Sequence, residues 1–306
     1  MRSIAPIYVE IEICSSMDDL WRHTQAPELH QQWDLRFSDI NYLPRPDAES
    51  PQRFLYATRI GFGLRIKGEG ESVGEHFGSS GRSSSLRFWS EDPKSLIREG
   101  SGYWKYVPVE DSIRFITRYD YRTRFGMFGR IIDRYVFRPL IGWATSWSFD
   151  CLRLWIERGI SPAVSMQRCA VHAMCRITLA IIWLYQGLVP KLLFGESSGE
   201  LETIRASGLF NGYEGGVLMA ASTIEIVLGV LMLALWRVRW MMPLNIALLI
   251  LLGIAVAITD AHMFTKQFNP ATLNVGMIML AMVGWIISRD LPTATACLRR
   301  EKENKA

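Results

Sequence analysis

Histidine and cysteine are scarce in this 306-residue chain, five of each, and the net charge is only +4. So small an excess of positive charge excludes a strongly basic nucleic-acid binder, and no nucleic-acid partner is expected. The cysteines (Cys14, Cys151, Cys169, Cys175 and Cys297) are odd in number and form no C-x-x-C. They read as free thiols of a reducing compartment, not as a disulfide frame. There is no G-x-S-x-G, no P-loop, and no spacing that would ligate haem or an iron–sulfur cluster. The N-terminus, MRSIAPIYVEIEIC, carries Glu10 and Glu12 where a secretory signal needs an apolar run. The first half is therefore expected to remain in the cytoplasm. Disorder is excluded, because 49% of the chain is hydrophobic and aromatics occur throughout.

What is present is unevenly distributed. Of the first 167 residues 43 are charged, against 21 of the remaining 139, so a soluble-like half precedes a lipid-like one. Four apolar stretches follow residue 168, at about 170–189, 216–236, 240–259 and 271–288. Each has about the 20 residues that a helix rising 1.5 Å per residue needs to cross a bilayer core. Arg153, Arg158 and Arg168 precede the first stretch; Arg237 and Arg239 fill the second loop; Arg289, Arg299, Arg300, Lys302 and Lys305 follow the fourth. The other two loops hold only Lys191, Arg205 and Lys266. The positive-inside rule then predicts four passes through the cytoplasmic (inner) membrane with both termini cytoplasmic. Trp236 and Trp240 suit an interfacial belt, Trp183 and Trp285 less directly.

Polar residues inside the spans are the informative ones. Glu225 sits near the middle of the second, where a carboxylate costs about 2.5–3.5 kcal/mol on insertion scales. Rise counting gathers Arg176, Gln186, Lys191, Ser222, Glu225 and Asn274 into a polar track running from the outer face toward mid-membrane. Two states stay open for Glu225: protonated and hydrogen-bonded to Gln186 or a serine, or ionised and paired with Arg176. Interhelical hydrogen bonding that locks the bundle explains such residues equally well.

WLYQGLVPKLLF (Trp183–Phe194), an acidic residue in the second span and FNPATLN (Phe268–Asn274) together resemble the DoxX-like family of four-helix membrane proteins, over about residues 170–289. The wider family includes membrane partners of redox systems, among them thiosulfate:quinone oxidoreductase subunits. The resemblance thus admits a quinone as cofactor and a redox protein as partner.

In the first half, Ile7, Val9, Ile11 and Ile13 alternate with polar residues, as in a half-buried strand. Ser15-Ser16 before Met17–Gln25 is a helix start, and Pro27 opens a second short helix, Glu28–Trp33. Strand-like runs follow at Phe54–Ile60, Leu64–Glu71, Ser84–Trp89, Gly102–Val107 and Ser112–Tyr121. SSGRSSS (Ser79–Ser85) reads as a hairpin loop or linker, and the glycines at 61, 63, 68 and 70 as turns or bulges. Arg130–Arg158 reads as a long helix kinked at Pro139. This order is that of an α+β helix-grip domain, an antiparallel sheet around a long C-terminal helix. VEIEICSSMDDLWRHTQAPELHQQWD resembles the opening, and FRPLIGWATSWSFDCLRLWIE the closing helix, of the START-like/SRPBCC (polyketide cyclase/dehydrase) superfamily. That resemblance implies a cavity for a hydrophobic ligand. Trp33, Phe54, Tyr56, Phe88, Trp104, Tyr106, Phe115 and Tyr119 are the candidate ligand-binding residues, with Phe62 a further interior aromatic.

No catalytic residue and no metal site is assigned. His23 and His30 are seven apart and read as surface histidines; Asp260-x-His262 lacks further ligands. Arginines and tryptophans in 130–158 also describe a helix lying on an anionic membrane surface. The expected organisation is a helix-grip domain over 1–158, a hinge over 159–169, an all-α four-helix transmembrane bundle over 170–289 and a cytoplasmic charged tail over 290–306. The expected partners are membrane lipid and a hydrophobic small molecule. The expected function is binding of a lipid-like or quinone-like ligand next to the bilayer. A quinone-linked redox subunit and a non-catalytic membrane assembly partner are the alternatives.

Overall fold

The computed structural model describes residues 5–301 apart from 48, 49, 62, 79, 80, 198, 266 and 268. Phe62, Ser79, Ser80, Lys266, Phe268, Lys302 and Lys305 therefore lie outside the described residues. The chain forms two compact units. A sheet unit comprises everything up to Ser165 together with the segment from Pro292 onward, and a membrane unit comprises Met166–Leu291.

The sheet unit opens with β1 (Ile7–Ile13), whose alternating Ile7, Val9, Ile11 and Ile13 are all buried. Helix α1 (Met17–Gln25) is capped by Ser16, whose hydroxyl accepts from the Asp19 amide at 3.2 Å. Helix α2 (Pro27–Trp33) starts on the proline that the first helical turn tolerates. Six strands follow: β2 (Asp39–Tyr42), β3 (Arg53–Gly61), β4 (Leu64–Gly78), β5 (Gly81–Trp89), β6 (Ile97–Val109) and β7 (Ser112–Thr123). All pair antiparallel in the order β1-β7-β6-β5-β4-β3-β2, with Ile7 opposite Tyr119 and Ile13 opposite Ile113. Helix α3 (Gly126–Ile132) leads through a wide π-helical turn, Asp133–Phe137, into the long helix α4 (Arg138–Arg158). Phe149 of α4 stacks on Phe115 of β7 with ring centres 4.4 Å apart. A seven-stranded antiparallel sheet holding its closing helix is the helix-grip arrangement.

Two local expectations are corrected. Gly81–Ser83 are not a loop: they extend β5 back from Ser84, with Arg82 and Ser83 paired to β4 on one side and β6 on the other, and two backbone ladders outweigh serine's weak strand preference. His23 and His30 are buried, not at the surface, because α1 and α2 turn those faces inward: His23 edges onto Trp155 and His30 onto Trp104. The segment expected as one long helix is helical throughout, with the π-helical turn Asp133–Phe137 standing just before Pro139, which falls in the first turn of α4.

The segment expected as a charged tail is folded in part. The Thr293 amide donates to Asp150 at 2.7 Å, the Cys297 thiol to the Ser146 carbonyl at 3.2 Å, and Leu298 exchanges two 2.9 Å backbone hydrogen bonds with Glu10 of β1.

In the membrane unit, α5 (Pro162–Gln186) runs on as a π-helical turn, Gly187–Leu193, and the short α6 (Glu200–Ala206) follows. Helices α7 (Glu214–Ala234), α8 (Met241–Thr259) and α9 (Pro270–Ile287) complete it. Among the described residues four helices are long and apolar enough to cross a membrane: Pro162–Leu193, α7, α8 and α9. Their shared core includes Leu179, Trp183, Met232, Met242, Leu249 and Ala281. Trp183 is thus an interior residue, while Trp236, Trp240 and Trp285 are exposed.

Candidate functional site

The sheet unit encloses a cavity of about 640 Å³ between the inner face of the sheet and the helices α3 and α4. Strand alternation supplies one wall: Tyr56, Thr58 and Ile60 from β3, Leu86 and Phe88 from β5, Thr117 and Tyr119 from β7. Helical spacing supplies the other: Phe125, Phe128 and Ile132 around α3, then Leu140, Ile141 and Ala144 on α4. Gly68 makes room for the wall, since a Cβ there would stand 2.3 Å from the Tyr56 ring. Burial raises the Tyr56 phenol to about 12, so it is neutral at physiological pH.

One charged cluster borders this apolar space. Arg36 lines the cavity and grips Asp34 through Nε at 2.9 Å and Nη2 at 2.6 Å. His30 Nε2 meets the same carboxylate at 3.1 Å. Burial alone would raise the Asp34 carboxyl, but the Arg36 charge and the His30 hydrogen bond outweigh it and hold it well below the usual range. Burial lowers His30 despite its bond to Asp34. Burial would likewise lower Arg36, yet the Asp34 charge holds the guanidinium above its ordinary value. At neutral pH the cluster is a carboxylate and a guanidinium with a neutral imidazole, and it carries no net charge. Burial raises the Tyr119 hydroxyl although Arg36 and Thr145 oppose it; it hydrogen-bonds Thr145 at 2.8 Å, beneath the Arg36 guanidinium. Thr58 donates to the Arg36 carbonyl at 2.5 Å and Thr117 to the Tyr103 carbonyl at 3.3 Å. With its wall hydroxyls satisfied, the cavity suits an apolar body with one polar end near Arg36 and Tyr119.

Of the eight aromatics named from sequence, Tyr56, Phe88, Trp104 and Tyr119 line this cavity. The other four do not. Trp33 is core, its indole donating to the His23 carbonyl at 2.9 Å. Tyr106 is sealed beneath α1, its hydroxyl on Thr24 and Gln25. Phe115 is covered by Phe149, and Phe54 lies over Gly70 beside Tyr42. Arg36, Thr58, Phe128 and Leu140 were not foreseen. The alternation of β3 beyond Tyr56 would have found Thr58; nothing in Asp34-Leu35-Arg36 announces a cavity anchor.

Of the membrane polar residues, Lys191 and Glu225 meet, while Arg176, Ser222 and Asn274 each turn to backbone carbonyls. Arg176 donates three hydrogen bonds to carbonyls at the end of α7: Met232 at 3.0 Å, Leu235 at 2.9 Å and Trp236 at 2.5 Å. Glu225 is paired instead with Lys191, at 3.1 Å, which also meets Glu200 at 3.4 Å. Neither state expected for Glu225 therefore describes its surroundings. Ser222 donates to the Gly187 carbonyl at 2.8 Å, Asn274 approaches the Leu249 carbonyl at 3.4 Å, and Gln186 is half-buried at the end of α5. Trp183 donates to Asn245 at 2.5 Å within the helical core. No group of three metal-ligating side chains occurs among the described residues.

The model of the DoxX-like family matches residues 180–282. The uncharacterized membrane protein YndG of Bacillus subtilis (strain 168) is 52% identical over 184 residues, which span 60% of this chain and 68% of that protein. The hypothetical protein jhp0584 of Helicobacter pylori is similar at 16% identity and a TM-score of 0.38, covering 49% of this chain and 86% of its own. Norcoclaurine synthase from Thalictrum flavum is similar at 15% and 0.34, covering 52% and 99%. No argument rests on those two likenesses; the helix grip stands on the strand order and the closing helix.

Proposed function

Starting from the fact that this chain belongs to the family of the membrane protein YndG, and that its membrane unit is DoxX-like, we propose that the sheet unit binds a hydrophobic, lipid-like or quinone-like molecule next to the bilayer. The observation that carries this reading is the apolar cavity of about 640 Å³ bordered by a charge-neutral Arg36–Asp34 pair. A space of that size fits a ligand the size of a small drug. A neutral anchor suits a carbonyl or hydroxyl end, whose oxygen accepts from a guanidinium or phenol without bringing in a charge. We infer that the sheet unit lies in the cytoplasm and that the four spans cross the cytoplasmic membrane, with both termini inside. Two features support this orientation: the arginines at 237 and 239 between α7 and α8, and the return of the chain after α9 into the sheet unit where it began.

Native mass spectrometry of the full chain released from detergent is expected to show a bound apolar molecule. Ala144→Phe, which fills the cavity from α4, is expected to remove it. A chain that carries no such mass in any preparation, before or after the substitution, overturns the reading.

The Lys191–Glu225 pair inside the membrane unit favours a second reading, a quinone-linked redox subunit, because ionisable pairs within spans mark proton or ion paths. Membranes enriched in the protein would then reduce quinone with a suitable cytoplasmic donor, and Glu225→Gln would lose that activity while keeping its fold. Failure to reduce quinone with a range of donors removes this alternative.

A further inference from the structure

The outer surface around the cavity mouth is apolar to a degree unusual for a domain bathed in water. Met127, Phe128, Tyr135 and Val136 are each 60–70% exposed. Phe125 and Leu140 are also exposed. Over residues 125–143 the sole acid is Asp133. It is buried, held by Arg138 at 3.0 Å and by the Tyr121 hydroxyl at 2.6 Å. The charges left at the surface there are Arg130 and Arg134. Phe125, Phe128 and Leu140 belong to both surfaces, exposed outside and lining the cavity within. Ile60 and Leu64, across the mouth on the β3–β4 hairpin, do the same. The apolar surface is therefore continuous from outside the unit into its interior.

We propose that this mouth is a bilayer-docking surface. The occupant is a membrane bearing anionic headgroups: the apolar side chains enter the acyl boundary, and Arg130 and Arg134 meet lipid phosphates. Charge complementarity selects it, since over residues 125–143 this face offers cations and hydrocarbon with no exposed acid. A bilayer is always at hand, because only Gly159–Ser161 separate α4 from α5, the first helix long and apolar enough to span. The consequence for the cavity, which rests on the ligand-binding reading above, is that an apolar molecule passes between bilayer and pocket without entering water.

The test uses the full chain in nanodiscs, with a polarity-sensitive probe on Phe128→Cys or, as control, on Lys105→Cys at an exposed position of β6, both in a Cys14→Ser background. With acyl-brominated lipid the probe at 128 is expected to lose most of its emission and the probe at 105 to keep it. Arg130→Glu with Arg134→Glu is expected to weaken the quenching in discs containing phosphatidylglycerol and to leave it unchanged in neutral discs. A probe at 128 that aqueous iodide quenches and brominated lipid does not overturns the docking. A probe shielded from both quenchers overturns it in favour of a protein partner. Quenching insensitive to the arginines overturns the role of the headgroups. Native mass spectrometry separates this inference from the reading it extends: docking with an empty cavity sinks only the passage of ligand, and a filled cavity without lipid quenching sinks only the docking.

Discussion

Each unit buries an arginine, and the two are satisfied in different ways. Arg36 of the sheet unit, its side chain 12% exposed, is answered by a full carboxylate, Asp34, which accepts from it bidentately. Arg176 of the membrane unit, 1% exposed, meets no carboxylate among the described residues: three carbonyls at the C-terminal end of α7 accept from it. Those carbonyls have no partner within their own helix and carry the negative end of its dipole. The difference teaches how the surroundings set the partner. In the sheet unit, a second buried ion is tolerable if it is bidentate. Within a span every added ion is costly, and a helix end supplies negative potential without one.

Substitutions can break or sharpen that contrast. The largest effect is expected from Arg36→Leu, which strands the Asp34 carboxylate and should cost about 3–5 kcal/mol, read by thermal unfolding of the full chain in detergent. Adding Asp34→Leu should restore most of the loss, because an apolar pair of similar volume leaves no buried charge. Arg176→Leu should cost less, about 1.5–3 kcal/mol, since it removes charged hydrogen bonds but strands only neutral carbonyls. If Arg176→Leu proves the costlier of the two, the contrast fails. Gly68→Ala, which drives a Cβ into the Tyr56 ring, should cost about 1–3 kcal/mol and lower the mass of bound ligand seen by native mass spectrometry.

Acid offers a graded test. His30 is lowered in the folded state from its ordinary 6.5, so the unfolded chain takes up its proton first. Its contribution is intact above about pH 7 and declines as pH falls through 6.5 toward the lower folded value. Asp34, lowered from 3.8, stabilises at all higher pH and loses that contribution only on further acidification. Stability should thus begin to fall below about pH 6.5 and fall further below about pH 3.8, and His30→Gln should flatten the first of these declines. The smallest effect is expected from Glu225→Gln. Lys191 keeps Glu200 at 3.4 Å and the glutamine oxygen still accepts from it, so melting should shift less than for Arg176→Leu.

Much of this architecture was legible because burial imposes periodicity. The alternation of Ile7–Ile13 and the run Ser112–Tyr121 read directly as strands, and four apolar runs read as the spans. The four residues of β2 were not legible, because only Ile40 among them is buried and the pairing to β3 makes the strand. Nor was the fate of His30, since helical spacing names a face without saying what will cover it. Depth counting gathered Lys191 and Glu225 into one track without pairing them, because it follows the backbone and not the reach of a side chain: Lys191, on the π-helical turn Gly187–Leu193, meets the acid at 3.1 Å. In the sheet unit, three of the eight candidate cavity aromatics, Trp33, Tyr106 and Phe115, are core. Alternation separates inner from outer faces, and the placement of α1 and α4 decides where that inner face is filled.

The hydrogen bonds between Leu298 and Glu10 have a bearing on biosynthesis. They cover part of the free edge of β1, an edge that would otherwise be open to pairing with another chain. The residues that cover it are translated only after all four spans. A nascent sheet unit therefore waits, one edge unprotected, while the intervening helices are being inserted. It reaches its final form only when the ribosome has finished with the membrane. A stop codon soon after α9 would remove nothing from the bundle, yet it would leave the domain made first permanently incomplete.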